Sequence, residues 1–392
     1  MLTRKDLMWI GPVQGGNHLE LVSHAAIEMG KLPFDIYALG SPTQIVERYL
    51  FDVLVGMIIA AKTNIPVEKP FHLFGAGHPF MFSLAVALGC DLFDSAAYAI
   101  YARKGKYLTD YGTLYLKDLQ YFPCSCKVCA HHTPRELLEM PLKDKEHLLA
   151  WHNLQTCFTE IKRIKQAMKQ GRLWELLELR ARSHPSLFQA LKRFRDHPTY
   201  LEVGTPTSKT KGLFFFDSLS LSRPEVFRYR DKLHRWTAPT PADILVLLAP
   251  PSSKPFHRSK EYTRVFRLLS KKLGKNLATI HFCTYTPPYG VVPLELDETY
   301  PLSQFETSLP FDRETVNDMT EQIIEYVRTR NGYRSIIIQD SSILGDKLKT
   351  ERNTIIGPEA FIISPSEDEL WSVKAVNNFT DLIYKAIQDH NS

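Results

Sequence analysis

Four apolar runs, each leading into a stretch of helical period, open the chain. Leu7–Val13 ends at Gln14-Gly15-Gly16 and precedes a helical stretch over Leu19–Met29. Phe34–Leu39 ends at Gly40-Ser41-Pro42 and precedes Thr43–Lys62, and Phe71–Phe74 ends at Gly75-Ala76-Gly77 and precedes a short helix over Pro79–Leu88. Cys90–Phe93 reads as a fourth, short strand that stops at Asp94. Apolar runs alternating with helices predict parallel βα units. The carboxyl ends of such strands build the site, so Gln14, Gly40, Phe74 and Asp94 are expected to converge at one mouth. Four βα units make half of an eight-stranded barrel. The two edges of a half-barrel call for closure by a partner chain, a second copy or a different cap.

Beyond the fourth unit, Pro134–His197 is mostly helical, interrupted at Gly171 and at Ser183-His184-Pro185. Residues 204–212 read as a loop or hairpin connection, and Pro239 and Pro241 mark a boundary. Strands are then predicted at Ile244–Leu248, Thr279–Cys283 and Ser335–Gln339, with helices over Lys260–Lys272, Arg313–Arg330 and Ser372–Gln388. The fold class is α/β: a partial (β/α) TIM-type barrel, its second half, carrying a metal-binding insertion and followed by a smaller α/β domain. The expected boundaries are 1–110 for the half-barrel, 111–200 for the metal-binding and helical part, 201–242 for a connecting segment and 243–392 for the small domain.

A net charge of +5 over 392 residues is mild, but its distribution is uneven. Cations crowd Lys162–Arg195, and Arg228, Arg230, Lys232 and Arg235 are interleaved with Phe227, Tyr229 and Trp236. Basic residues among aromatics suit phosphate contact and base stacking. A solvated helix face is the plainer reading of the first run, since Glu160, Glu175 and Glu178 lie with it. No apolar segment near Met1 reads as a signal peptide, and Phe51–Ala61 is too short to span a bilayer. A cytoplasmic protein without a membrane partner is expected, with its six cysteines as reduced thiols or metal ligands.

Cys124, Cys126 and Cys129 form a C-x-C-x-x-C cluster after Pro123. Three thiols so close fit thiolate ligation of Zn²⁺, which asks for a fourth donor. His131, His132, His147 and His152 are the candidates. The first two lie too near the knuckle to wrap an ion easily, and His152 on the following helix is preferred. Such a closed set makes a structural site. Cys90, Cys157 and Cys283 read as core residues.

Gly11-Pro12-Val13-Gln14-Gly15-Gly16, Phe71–Pro79, Cys90-Asp91-Leu92-Phe93-Asp94-Ser95, the cysteine cluster and Leu148–Leu154 stand in an order that resembles the tRNA-guanine transglycosylases. Ala181-Arg182-Ser183-His184-Pro185 resembles the archaeal branch in particular. The resemblance implies replacement of guanine 15 in archaeal tRNA by 7-cyano-7-deazaguanine, in the archaeosine pathway. It implies that Asp94 is the nucleophile, that Gln14 and the Gly40-Ser41 turn contact the base, and that Phe74 lies against it. For Asp94 the alternative is a helix N-cap, and for Phe74 a core aromatic. Asp91 is expected to face the scaffold.

The family's Asp-Ser-Gly-Gly-Phe segment and its base-recognising aspartate have no match here, nor has its C-terminal PUA domain. The chain alone is therefore expected to be a poor or inactive enzyme. A protein partner supplying the front half or a PUA domain, or a homodimer, is expected beside tRNA. The alternative is a non-catalytic tRNA-binding accessory subunit. Leu248–Phe256 and Tyr289–Leu296 also resemble archaeosine synthase, which supplies a further alternative. Against that stand Pro250, Phe256 and Tyr262, at the positions of its motif's cysteine, tyrosine and histidine. Lys254 matches and reads as a solvated lysine or a phosphate contact.

Overall fold

A computed structural model of the chain describes residues 4, 6–40, 42–238, 242–330, 332–344, 348, 360–366 and 369–391. Ser41, Pro239 and Pro241 lie outside these. The chain divides into two compact units, Met1–Thr205 and Pro206–Ser392.

The first unit opens with β1 (Ile10–Val13), α1 (Leu19–Gly30), β2 (Ile36–Leu39), α2 (Thr43–Glu47), α3 (Phe51–Lys62), β3 (Phe71–Leu73), α4 (Phe82–Ala87) and β4 (Leu92–Phe93). The strands form one parallel sheet in the order β1-β2-β3-β4. Strands that pair in chain order with helices between them are the arrangement the alternating pattern calls for. All four positions of β2 are buried, as are Phe51, Leu54, Val55, Met57 and Ile58 of α3. The helical stretch over Thr43–Lys62 is two helices, not one. Tyr49 breaks it with a left-handed φ of 58°, and its ring stacks on His184 at 4.7 Å.

The rest of this unit is α5 (Ala97–Arg103), an antiparallel hairpin of β5 (Lys106–Leu108) and β6 (Thr113–Tyr115), then α6 (Lys127–His131) and α7 (Pro134–Glu139). Thr133 and Glu136 close a capping box on α7. The long α8 (Leu142–Gln170) comes next and ends at Gly171, whose φ of 71° is a left-handed stop. Then come α9 (Leu173–Ala181), α10 (Pro185–Lys192) and α11 (Pro198–Val203). The buried positions of α8 include Leu149, His152, Asn153, Glu160, Ile164 and Ala167, a helix-period stripe that carries polar side chains inward.

The second unit comprises β7 (Leu213–Phe215), α12 (Pro224–Arg235), β8 (Ile244–Leu248), α13 (Lys260–Leu273), β9 (Ile280–Thr286), β10 (Gly290–Pro293), β11 (Phe305–Thr307), α14 (Arg313–Thr329), β12 (Ser335–Ile338), β13 (Ala360–Ile363) and α15 (Val373–Asn391). Its main sheet has the order β10-β9-β8-β12-β13, antiparallel at β9–β10 and parallel elsewhere. Segment 201–242, read from sequence as a connection, requires a correction. Residues 206–235 supply β7 and α12, and Leu213, Phe215, Val226, Tyr229 and Leu233 join the core of this unit. The charges of α12 masked a three-residue apolar stripe on one face.

Candidate functional site

Register aligns the four strand ends. Val13 pairs with Leu39, Leu39 with Leu73 and Leu73 with Phe93, so the next residues, Gln14, Gly40, Phe74 and Asp94, form one row at the carboxyl edge. Gly40 donates its N–H to the Val13 carbonyl at 2.8 Å. A Cβ on Gly40 would meet Gln14 Cγ at 2.8 Å, so the Gln14 side chain lies across this residue because it is glycine. Phe74 is half-buried, and its ring meets His72 edge-on at 4.6 Å.

Asp94 has an exposed side chain, and its Oδ1 accepts the Gly75 N–H at 3.0 Å. Gly75 has φ of +67°, and a Cβ there would meet Thr43 Oγ1 at 2.5 Å, so glycine is required to aim this N–H. The same Oδ1 lies 3.0 Å from His72 Nε2. These contacts leave Asp94 outside a helix-capping role. The helix turn is bonded instead by Ser95, whose Oγ accepts the Ala97 N–H at 2.9 Å, while no side chain caps α5 from its N-cap residue Ala96. Asp91 does face the scaffold: its carboxylate accepts the Phe71 N–H at 2.8 Å, at the opposite end of β3.

His72 was missed as a site residue. It pairs with Leu92 across the sheet, so Asp94 is its diagonal neighbour, and the strand period of two puts His72 and Phe74 on one face. A polar side chain inside an apolar strand was the available signal.

The cysteines meet α8. The ligand atoms of Cys124, Cys126, Cys129 and His152 all lie within 4.8 Å of one another. Cys126 and Cys129 Sγ are 3.6 Å apart, and His152 Nδ1 is 3.5 and 3.4 Å from them. A tetrahedral ion with Zn–S near 2.3 Å and Zn–N near 2.05 Å sets sulfurs about 3.8 Å apart and a sulfur and nitrogen about 3.6 Å apart. The donor set and spacing therefore fit such an ion. His131 points elsewhere, with Nδ1 2.8 Å from the Lys127 carbonyl.

The surroundings select the ligating atoms. His152 Nε2 donates to the Leu108 carbonyl at 3.0 Å, which fixes the tautomer and leaves the Nδ1 lone pair for a metal. Tyr107 stacks on the imidazole at 3.7 Å, and its hydroxyl is 3.3 Å from Cys129 Sγ. A hydrogen bond with His152 lowers the Cys124 thiol, and one from Cys129 draws Cys126 down to about 3. Asn153, the neighbour of His152, is fully buried and binds the hairpin and α5 together.

Parts of the basic runs are engaged internally. Arg180 pairs with buried Glu160 at 2.7 Å and Asp110 at 2.9 Å, and Arg163 pairs with Glu160 at 3.3 Å. Arg230 pairs with Asp318 and Arg235 with Asp231. In the second unit, Tyr262 is buried with its hydroxyl bonded to the Ala249 carbonyl and Thr284, a core role. Lys254 lies over the Phe305 ring at 4.1 Å. No helix among the described residues is long and apolar enough to cross a membrane.

A row of groups at the carboxyl edge of a parallel βα sheet, one of them an exposed, oriented carboxylate, beside a closed thiolate–imidazole cluster, describes a site built for group transfer with a structural metal. The family model described as Queuine tRNA-ribosyltransferase matches residues 2–186, and a domain of unknown function (DUF5591) matches 226–382. A tRNA-guanine(15) transglycosylase of Saccharolobus solfataricus is 40% identical over 344 residues, 87% of this chain and 67% of that protein. Those of Methanococcus vannielii and Methanocaldococcus jannaschii are each 41% identical, over 80% and 84% of this chain and 47% and 49% of their own lengths. The chain belongs to the tRNA-guanine transglycosylase family. It spans about half the length of most of these relatives.

Proposed function

We propose that this chain carries the nucleophilic half of a site that exchanges guanine for 7-cyano-7-deazaguanine at position 15 of archaeal tRNA. The observation that carries the reading is Asp94. Its carboxylate is exposed at a strand end, and the Gly75 N–H and His72 both hold Oδ1, so neither contact occupies Oδ2.

In the first step a carboxylate oxygen of Asp94 attacks the ribose C1′. The C1′–N9 bond breaks, its electron pair goes to N9, and guanine leaves with a proton from an acid. In the second step N9 of the incoming base attacks C1′, loses its proton, and releases the Asp94 carboxylate. Two inversions restore the configuration, as in retaining glycosidases. Gln14 and Gly40 contact the base, with Ser41 beside them, and Phe74 covers one side of its plane.

Cys124, Cys126, Cys129 and His152 hold zinc, which ties the knuckle to α8 and offers substrate no open position. Residues 1–110 are read as the second half of a (β/α) barrel and 111–200 as its metal-binding part. The order β1-β2-β3-β4 supports this, because a barrel adds parallel strands in sequence. The other half, with the acid, comes from residues outside these 392, on the same or a partner polypeptide.

The test is exchange of radiolabelled guanine into tRNA, for the zinc-loaded chain alone and with the front half of an archaeal relative added. Exchange that requires Asp94, and is lost in Asp94→Asn, supports the reading. Binding of tRNA without exchange in either arm would replace it with an accessory subunit.

A further inference from the structure

The second unit holds a cavity of about 300 Å³ that the base-exchange reading leaves unused. One face of α12 lines it: Arg228 and Lys232 are one turn apart, and Trp236 comes at the next turn, just past the helix end. Tyr229 and Tyr300 add two more aromatic rings. This is the basic-aromatic run of the sequence, gathered around one hole.

The charges in the lining are unequal. Glu225 is its carboxylate, 2% exposed, and that charge is already matched by Lys209 and by Arg223 at 3.4 Å. Arg228 is 9% exposed, and its Nη1 is anchored on the Pro206 carbonyl at 2.8 Å. Lys232 is exposed at the rim. An incoming group therefore meets two cations whose charge Glu225 does not cancel. The Tyr229 hydroxyl donates to the Val291 carbonyl at 2.6 Å, and Arg330 lies over the Trp236 ring at 5.6 Å, so both rings are held in place.

A volume of 300 Å³ is at the lower end of small-molecule sites, which run from roughly 300 to 1,000 Å³. It admits one flat ring system with a sugar, and excludes a helix or a folded peptide. Fixed aromatic rings select a flat ligand, and two cations, one a guanidinium, select an anion rich in oxygen acceptors. We propose that this cavity binds a single nucleoside 5′-phosphate, with the base against the aromatic side chains and the phosphate on Arg228 and Lys232. The nucleotide is either free or an unstacked residue of an RNA strand. The site lies wholly in the second unit and stands whether or not Asp94 is a nucleophile.

The experiment titrates the full, zinc-loaded chain with the four nucleoside 5′-monophosphates by calorimetry. Parallel titrations use inorganic phosphate, a nucleoside, and a single-stranded hexanucleotide. Saturable binding of a monophosphate or the hexanucleotide is expected, at least ten-fold tighter than phosphate or nucleoside alone. Lys232→Glu and Trp236→Leu should each weaken it ten-fold or more while the circular dichroism spectrum is unchanged. Lys232 is exposed, so that variant keeps the test valid if the other fails to fold. Tighter binding of the hexanucleotide assigns the site to RNA, and equal binding assigns it to a free nucleotide. Absence of saturable binding by either, or binding indifferent to Lys232→Glu in folded protein, overturns the proposal.

Discussion

Replacing Asn153 by alanine removes three hydrogen bonds at once. Its Oδ1 accepts the Leu108 N–H at 2.8 Å, and its Nδ2 donates to the Tyr98 and Lys106 carbonyls, each at 3.1 Å. The first contact is buried, so the stranded N–H costs about 1–3 kcal/mol. The other two are partly buried, and water recovers some of their loss, leaving roughly 0.5–1.5 kcal/mol each. The sum is centred near 4 kcal/mol, within about 2–6. A urea m-value of roughly 2–3 kcal/mol/M turns this into a midpoint lowered by about 1–2 M for the first unit. The assay is urea unfolding of the zinc-loaded chain, read by zinc release to a colorimetric chelator. Because β5 also provides the Leu108 carbonyl that orients His152, zinc should leave at the same lowered midpoint as α8 loses hydrogen-exchange protection. A midpoint shift under about 0.3 M, or zinc lost in native buffer with α8 still protected, would show that Asn153 does not couple the hairpin to the metal helix.

Removing zinc with a chelator should lower the melting temperature of the first unit, since a metal bound only by the folded state stabilises it, and calorimetry with and without added zinc checks this. Once an active assembly is in hand, His72→Ala should cut exchange about 10- to 100-fold through loss of a contact to a charged carboxylate, with tRNA affinity unchanged in a filter-binding assay. Gly75→Ala should destabilise the strand-end turn and slow exchange more than His72→Ala, since a left-handed alanine also meets Thr43, and melting with exchange assays measures both. Glu225 has its carboxyl held near 2, from an ordinary value of 4.5, by Arg223 and Lys209 against burial. A depressed pKa gives stability that is complete above pH 4.5 and lost as pH falls toward 2, on the order of 3 kcal/mol. Acid unfolding of the second unit should flatten in that window for Glu225→Gln.

The strand–helix alternation and the cysteine knuckle were legible because both are local. A period of two against 3.6, and three thiols within six residues, need no knowledge of distant partners. The row of Gln14, Gly40, Phe74 and Asp94 was legible for a related reason, since any parallel βα sheet gathers the residues just past its strand ends. His72 was not, because its meaning depends on register with Leu92, which no single strand reveals. The cations of α8 and α9 were equally opaque. Whether Arg180 meets solvent or Glu160 is decided by the packing of two helices. The place of α12 failed as a reading because Val226, Tyr229 and Leu233 are few among charges, and only the sheet they cover makes them core.

The metal ligands are neighbours along the chain, with Cys126 and His152 only 26 positions apart. Closing so short a loop costs little chain entropy compared with bringing distant strands together. During synthesis, the knuckle and the first half of α8 leave the ribosome well before the second unit is made, and domains generally fold in that order. Metal capture can then be an early folding event, so zinc supply acts on the growing chain and a shortage leaves molecules misfolded from the amino-terminal side.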